Sequence, residues 1–548
     1  MYFSYHNGVV WVLYVLVINS ICIMRLRIIQ KFFSKFFEHK QQKTQNFCLI
    51  LAEKGHHEFI PLPVNLDFAA HLSEYNPDRY GFGVEHPFVQ DKALFFLGLL
   101  SSIPARNGDL IDADGFVPIH MATVRDGIKD IKLYVDYLIK TGILVCRKGY
   151  IPGEKSRGYK WAARYEGQPF TTRSTPCKYA DRVVQYDGSD DKTAYPYLFH
   201  WYEQQKLSID PLAEQYAFAI KEMKMQDSSR ASWDRNSDTG GLKFPITQYQ
   251  AAIRNIGKIR FHHYEPHIDT NIHRLHSVLT NLQKDYRNFL NYDGQPLVSI
   301  DIKNCQPYLA CLILRPEFWQ ENSPLPISIH TIPYNITTTL HTPPSLPIMI
   351  GKFFDKVNPE SFDEFFRLVS SGGMYEKIAE VANSRIKELP EPISRKDAKT
   401  LMFHLLFSRN HGSHKDTVIC QMRQIFEKEL FPEVSELFRL IKTEFPGVDM
   451  EKQHNRLSCL LQSIESSIIL HRCCKRIWEE MNQQVPIFTI HDSIVTIPEY
   501  QNYIVHVMIE EFSRCIGVAP TLSIEKWEPA NLNPEIPTYY LKLKLHNE

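Results

Sequence analysis

A run of apolar residues near the middle of the chain ends in a carboxylate. Leu297, Val298 and Ile300 lead into Asp301, polar residues follow at 303, 304 and 306, and then the chain becomes apolar again. This pattern predicts a buried strand with a helix behind it. Asp301 is therefore either the N-cap of that helix or a functional acid delivered by the strand.

A second acid lies between two strand-like runs closer to the carboxyl terminus. Residues 487–490 and 494–497 are rich in apolar and β-branched side chains, and His491, Asp492 and Ser493 stand between them as in a hairpin turn. Asp is also common in turns, so a structural role in the hairpin is the alternative. Two carboxylates on neighbouring strands would, however, suit a pair of Mg²⁺ ions that clamp an in-line phosphoryl displacement.

A helix with an unusual face lies between the two acids. Four residues of this helix recur at a spacing of four and so lie on one slowly rotating face: Arg395, Lys399, Phe403 and Phe407. This set is called the four-residue ladder. A capping box at 394–397 predicts where the helix begins. The two cations can meet a triphosphate, and an aromatic ring can stack on a base. The alternative is an exposed helix whose aromatic rings dock into a core.

Composition limits the classes of protein that are compatible with these motifs. The chain has 548 residues and 44% hydrophobic content, enough for large cores and more than one domain. Lys+Arg and Asp+Glu are both 62, so a nucleic-acid site has to be local rather than a property of the whole surface. The 11 cysteines show no zinc-site spacing, and we expect reduced intracellular thiols rather than disulfides.

The amino-terminal end carries an uncharged apolar segment at 8–24, followed by Arg25 and Arg27. It is slightly short for a membrane span and lacks the basic lead of a secretory signal. The segment is either a membrane anchor or a translated upstream region with Met24 as the true start. We favour the second interpretation, because the rest of the chain is typical of a cytoplasmic protein.

Further along, a helical pattern is followed by a basic hairpin. Apolar residues from 128 to 138 recur at helical spacing, Gly142 ends that helix, and two strand-like runs flank a turn at 152–158. Basic side chains decorate the hairpin, among them Arg147, Lys155 and Arg157. This combination resembles a winged helix, a fold that often binds DNA. The alternative is a small packing domain with a solvated hairpin.

The ordered set of motifs resembles the family A DNA polymerases and the related phage-type single-subunit RNA polymerases. Their first motif is a strand ending in Asp with an acidic or polar residue five positions later, here Asp301 and Gln306. Their second is Arg-x3-Lys-x3-Phe/Tyr/Met-x3-Tyr-Gly on a helix, here ending in Phe407 and Ser408. Their third is a hairpin His-Asp, here followed by Ser493 as in the RNA branch. The chain looks like a divergent member of the type found in phages and mobile elements.

The resemblance implies a role for each of these residues. Two Mg²⁺ ions are the expected cofactors, held by Asp301, Asp492 and the backbone carbonyl of Ile302, and Lys399 also serves the pyrophosphate leaving group. The residues expected to bind the nucleotide are Arg395, Lys399, Phe403, Phe407 and Gln306. Two further stretches that are similar to family segments imply contacts with primer or template, and the expected residues there are Arg274, Asn281, Gln462 and His491.

The implied fold is α+β, a right-hand polymerase with palm, fingers and thumb-like helices and an N-terminal winged-helix-like module. The expected order is a hydrophobic segment at 1–24, which the true product lacks if Met24 is its start, a lead-in at 25–85, the winged-helix-like module at 86–165, a helical thumb-like or connecting region at 166–270, the first part of the palm at 271–312, a Pro/Thr-rich surface insertion at 313–348, the fingers at 349–454 and the second part of the palm at 455–548.

The resemblance implies a DNA-directed DNA polymerase without proofreading that acts on a DNA primer-template with nucleoside triphosphates. We expect a cytoplasmic protein that does not bind a membrane, unless the apolar segment at 8–24 belongs to the true product. Gln306 has nearly the bulk of Glu, which favours deoxynucleotides, whereas Ser493 favours the RNA branch. A single-subunit RNA polymerase or primase-like enzyme is the first alternative. A non-catalytic DNA-binding replication initiator, with a winged helix and a decayed polymerase core, is an alternative of another class.

Overall fold

The computed structural model describes residues 57–111, 114–147, 156–176, 189–235, 240–270, 272–332, 345–386, 389, 391–410, 417–444 and 453–532. These residues form a mixed helix-and-sheet fold, in agreement with the α+β prediction. The apolar segment at 8–24 and Lys155 lie outside them. Every helix in the described ranges is too short or too polar to cross a membrane.

Strands and helices are distributed along the whole described chain. The strands are β1 (His57–Pro63), β2 (Val117–Ile119), β3 (Leu144–Arg147), β4 (Arg157–Trp161), β5 (Phe170–Pro176), β6 (Leu207–Ile209), β7 (His267–Ile268), β8 (Leu275–His276), β9 (Leu290–Tyr292), β10 (Gln295–Ile302), β11 (Phe488–Ile490), β12 (Ser493–Thr496) and β13 (Leu522–Trp527). The helices are α1 (Phe68–Glu74), α2 (Gln90–Arg106), α3 (Met121–Gly127), α4 (Ile131–Lys140), α5 (Ala163–Glu166), α6 (Ser189–Ala194), α7 (Pro196–Glu203), α8 (Leu212–Gln226), α9 (Pro245–Arg260), α10 (Val278–Asn281), α11 (Lys284–Arg287), α12 (Cys305–Ile313), α13 (Ser345–Phe354), α14 (Asp363–Ser370), α15 (Met374–Arg385), α16 (Arg395–Phe407), α17 (Thr417–Ile425), α18 (Pro432–Ile441), α19 (Arg456–Ile468), α20 (Lys475–Glu480) and α21 (Gln501–Ile516).

The largest sheet has the order β11-β12-β10-β9-β6, with β13 also paired to β10. Strand β10 is its centre, because β12 and β13 both pair with it in antiparallel register. Its residues from Leu297 to Ile300 are all buried, which is what a strand covered on both faces requires and explains the continuous apolar run. The acid at the end of this run therefore emerges from the most constrained strand of the sheet.

Helices behind the sheet fix the segment that follows Asp301. Helix α12 packs against α19 and α21. A π-helical segment, Ile469–Cys474, joins α19 to α20, so residues 456–480 run as one continuous helix. Helix α16 contacts α19, and it also packs against α15. These contacts fix α16 against its neighbouring helices α15 and α19.

The amino-terminal part contains a smaller sheet with the order β2-β4-β3. Along the chain, α2 is followed by β2, α3, α4, β3 and β4. The helix predicted over 128–138 begins only at Ile131, because Ile128 ends the preceding helix α3 and a short turn separates the two. Gly142 follows the helix with a φ of +72°, the left-handed conformation that terminates helices.

Two segments differ from the sequence prediction. The expected lead-in contains β1, which pairs with β5 over its whole length and so belongs to the fold. The expected surface insertion is packed in its first half, because Phe318, Ile327 and Ile329 are buried in the core. Both differences arise because short apolar segments without a clear period are buried by partners distant in sequence.

Helix α9 is buried and connects the amino-terminal strands to the core. Almost every side chain between Pro245 and Ile259 is buried, and the helix packs against α2, α8 and β5. A Cβ at Gly257 would lie 2.3 Å from the hydroxyl of Thr172 on β5, so only glycine permits this close approach. The Thr172 hydroxyl also donates a hydrogen bond to the Ile253 carbonyl at 2.9 Å.

Candidate active site

Two carboxylates meet at the end of the central strand. Asp301 is the second-last residue of β10, and it pairs with Ser493, the first residue of the neighbouring antiparallel strand β12. Asp492 precedes Ser493 in the turn after β11, and its carboxyl group approaches that of Asp301 closely enough to share a proton. The structure thus brings together two acids that were predicted from separate motifs.

Burial and mutual repulsion act strongly on this pair. Burial, the charge of Asp492 and a hydrogen bond between the two carboxyl groups raise the pKa of Asp301 to about 7. The positive charge of Lys399 and a hydrogen bond from the backbone N–H of Ile302 act in the opposite sense. Crowded carboxylates of this kind favour a cation between them.

The hairpin that carries Asp492 is closed by local hydrogen bonding. His491 adopts a φ of 53°, the left-handed conformation that the tight turn requires. The buried hydroxyl of Ser493 donates to the carbonyl of Ile490 at 2.9 Å. Ser493 therefore stabilises the turn. Partial burial of the His491 ring and the nearby charge of Arg274 lower the pKa of His491 to about 4, which leaves the ring neutral at pH 7.

Helix α16 begins where the sequence predicted. The Ser394 hydroxyl accepts a hydrogen bond from the backbone N–H of Asp397, and the Asp397 carboxylate accepts one from the backbone N–H of Ser394. This capping box orients the first turn, which carries Arg395. The guanidinium of Arg395 lies 2.6 Å from the carboxylate of Glu376 on α15. Both side chains are about half exposed, so this ion pair is weak and can give way to another anion.

The two aromatic residues of the four-residue ladder, Phe403 and Phe407, form a partly exposed surface. Their rings pack edge to face with centroids 4.8 Å apart. Phe403 is 61% exposed, whereas Phe407 packs partly against the core. The Phe403 ring is therefore not docked in the core, and it is accessible to a planar ligand.

Gln306 lies at the start of α12 and is bound to a buried acid. Its side-chain amide donates to Glu465 Oε2 at 2.7 Å. Arg274 Nη2 donates to the same oxygen at 2.7 Å. Burial and the charge of Asp492 raise the pKa of Glu465 to about 7, while Arg274 acts in the opposite sense. Two residues predicted for different roles thus share one carboxylate.

Other predicted residues lie in different surroundings. Gln462 is one turn before Glu465 on α19, and its amide donates to Ser458 at 3.1 Å. Asn281, the last residue of α10, lines a separate pocket together with the end of α2 and with residues of α9 that include Asn255. Asp301 and Asp492 do not line that pocket.

The basic hairpin is partly neutralised by its own module. Arg147 lies 2.7 Å from the carboxylate of Asp114, and its guanidinium is stacked 4.2 Å from the centroid of the Phe116 ring. Lys160 is paired with Glu166 at 3.2 Å. Arg157 is exposed.

Sequence reasoning missed three residues near the acid pair. Glu465 lies in the same helix as Gln462, the residue of that helix to which a role was assigned from the sequence. Burial lowers the pKa of Arg287 on α11, and the carboxylates of Glu525 and Asp301 oppose this, which places the guanidinium near the pair. Burial and nearby acids raise the pKa of Tyr375 to about 12. Only a tertiary contact identifies each of them, since none lies in a recognisable spacing.

The described residues contain no group of three or more His, Cys, Asp or Glu arranged to hold a metal ion. The acid pair supplies two carboxylates. The cysteines in the described ranges are free thiols.

Comparisons with known proteins give a distant structural likeness. No protein-family model matches the chain, and no curated protein matches it. One similar solved structure is the POL domain of Pol1 from M. smegmatis in complex with DNA primer-template and dNTP, at 13% identity and a TM-score of 0.34. The match covers 64% of this chain and 74% of that chain.

Proposed function

We propose that the chain catalyses template-directed nucleotidyl transfer as a family A-like DNA polymerase without proofreading. One observation carries the proposal: Asp301 and Asp492 meet at two adjacent strand ends, with the charge of Lys399 acting on Asp301 from a separate helix. Two acids and a facing cation are what phosphoryl transfer needs, because charge develops on the phosphoryl oxygens during the reaction.

The donor set fits magnesium. Asp301, Asp492 and the carbonyl of Ile302 would hold the ions, since Mg²⁺ takes carboxylate and carbonyl oxygens and retains waters. The crowding that raises the pKa of Asp301 to about 7 is relieved by a cation, which supports this fit. When bound, Mg²⁺ would supply Lewis-acid stabilisation of the attacking and leaving oxygens.

The chain's own cations would hold the triphosphate. Arg395 would exchange its exposed partner Glu376 for phosphate, a change of little cost because exposed ion pairs contribute less than about 1 kcal/mol. Lys399 lies one turn further along the same helix face and would neutralise charge on the leaving pyrophosphate. Phe403 and Phe407 would line the base and sugar, and Gln306 would face the sugar.

Primer and template would lie on the side of Arg274, His491 and Gln462. Arg287, which the structure adds to this group, supplies a further cation beside Asp301. The module containing β2, β3 and β4 would act as a winged helix that binds the template. The succession of one helix, one strand, two helices and two strands supports that assignment.

Primer extension tests the proposal directly. Purified chain is given a primed DNA template, Mg²⁺ and either dNTPs or NTPs, with EDTA as the control. We expect Mg²⁺-dependent extension with dNTPs. Extension with NTPs alone would replace the proposal by an RNA polymerase or primase-like enzyme. DNA binding without extension under any condition would favour the non-catalytic initiator.

A further inference from the structure

A buried acid outside the carboxylate pair determines how Gln306 is held. Glu465 is only 1% exposed, and it accepts hydrogen bonds at 2.7 Å from Gln306 Nε2 and from Arg274 Nη2. The same guanidinium nitrogen lies 2.6 Å from the other carboxylate oxygen. The carboxylate is therefore pinned by Arg274, and it in turn pins the amide of Gln306.

The bond to Glu465 is the attachment that fixes the Gln306 side chain. Within the described residues, the other amide atom of Gln306, Oε1, is buried without a hydrogen-bond partner. The acceptor also dictates which way the amide faces, since a carboxylate accepts from NH₂ and repels a carbonyl oxygen. Loss of this one bond would release the side chain to other rotamers.

The anchor lies in α19, behind the acid pair, and not in the helix with the four-residue ladder. Cys305, the neighbour of Gln306, lies 3.9 Å from Glu465 through its sulfur. Helices α12 and α19 pack against each other in the core. Gln306 is therefore held by a residue of α19 and not by a residue of α16.

From these contacts we infer that Glu465 is a positioning residue that sets sugar selection by fixing Gln306. This inference rests on the proposed function, in which Gln306 faces the sugar of the incoming nucleotide. A fixed amide excludes a 2′-hydroxyl by its bulk, whereas a mobile one yields to it. Discrimination between dNTP and NTP is thus a property of Glu465 as much as of Gln306.

The test uses a charge exchange between the two positions. The assay is run at pH 8, above the pKa of about 7 of Glu465. There Glu465→Gln replaces a charged acceptor by a neutral one, and Gln306→Glu places two carboxylates in hydrogen-bond contact, where they repel. The double variant Gln306→Glu/Glu465→Gln restores an amide-to-carboxylate bond with its direction reversed. Glu511→Gln is the matched control, because Glu511 is 3% exposed and bonded to Arg472 and Arg476 without touching the site.

The readout is the ratio of kcat/KM for dNTP over NTP on one primed template, with melting curves to confirm folding. We expect each single exchange to lower the ratio about tenfold, the size of one hydrogen bond to a charged group. The double variant should return to within about threefold of wild type, since the two changes are coupled. Glu511→Gln should leave the ratio unchanged even if it lowers stability.

The outcomes separate this inference from the proposed function. If wild type extends primers with dNTPs and Glu465→Gln leaves the ratio unchanged, the positioning role is wrong and the proposed function stands. If both single exchanges slow dNTP and NTP equally and the double variant restores nothing, Glu465 is merely structural. If wild type extends no primer or prefers NTPs, the proposed function fails and this inference fails with it.

Discussion

The most informative single substitution is Asp492→Asn, because it should stabilise the metal-free protein while removing its activity. Asn keeps the size of the side chain and its place in the hairpin, but it removes the charge that faces Asp301. A group that serves chemistry at the expense of stability behaves in this way, whereas a structural acid does the opposite.

The magnitude follows from the electrostatics of Asp301. Its pKa is raised from the ordinary 3.8 to about 7, first by burial and then by Asp492. A tenfold change in proton affinity equals about 1.4 kcal/mol, so ionising Asp301 in the fold costs at most about 4 kcal/mol. Burial takes the larger share, and we expect Asp492→Asn to recover about 1–2 kcal/mol.

The pH dependence gives the sign of this effect. Between pH 4 and 7 the folded chain keeps a proton on Asp301 that the unfolded chain has lost, so this contribution destabilises the fold as pH rises. Above about pH 7 the whole cost is present. The gain from Asp492→Asn should therefore be largest at pH 8 and small at pH 5.

Denaturant unfolding in EDTA at pH 8 and pH 5 measures this gain. Asp293→Asn is the control, because Asp293 lies in the turn before β10 and its ion pair with Lys206 is exposed. We expect the control to change the free energy of unfolding by less than about 0.5 kcal/mol at both pH values. If Asp492→Asn were less stable than wild type at pH 8 in EDTA, the two carboxylates would not be the repelling pair described above.

Three further predictions follow from local contacts. Glu376→Gln frees Arg395 from its exposed ion pair, so KM for the nucleotide should fall about two- to threefold in steady-state kinetics with kcat unchanged, and a higher KM would contradict the assigned role of Arg395. Ser394→Ala removes the capping box and should lower the free energy of unfolding by about 1 kcal/mol; an unchanged denaturation midpoint would show that the cap is unimportant. Arg157→Ala should weaken DNA binding and reduce the salt slope by about 1, whereas Arg147→Ala should change both less because its charge is already paired; equal effects would contradict this distinction.

The sequence anticipated the elements whose signals are local. The capping box fixes the start of α16, and the four-residue ladder follows from it. The apolar run before Asp301 and the turn at Asp492 each predicted a strand end, and the expectation that the two acids meet came from the resemblance in motif order. These features depend on spacing within a short window, which a single sequence contains.

Contacts between distant segments were not predictable in the same way. Glu465 is an acid in the middle of an apolar helix, and its meaning depends on Arg274 and Gln306, which lie far away in the chain. Strand β1 carries a short apolar pattern that is stable only because β5 pairs with it. Tertiary partners override local propensity in both cases.

Single-nucleotide incorporation by Asp301→Asn measures whether the carboxylate pair carries the chemistry. The variant is compared with wild type and with Asp293→Asn on one primed DNA template in Mg²⁺, and DNA affinity and melting are measured in parallel. We expect a loss of at least about a thousandfold in the rate of incorporation, with folding and DNA affinity retained. Incorporation by Asp301→Asn at the wild-type rate would contradict the claim that the carboxylate pair carries the chemistry.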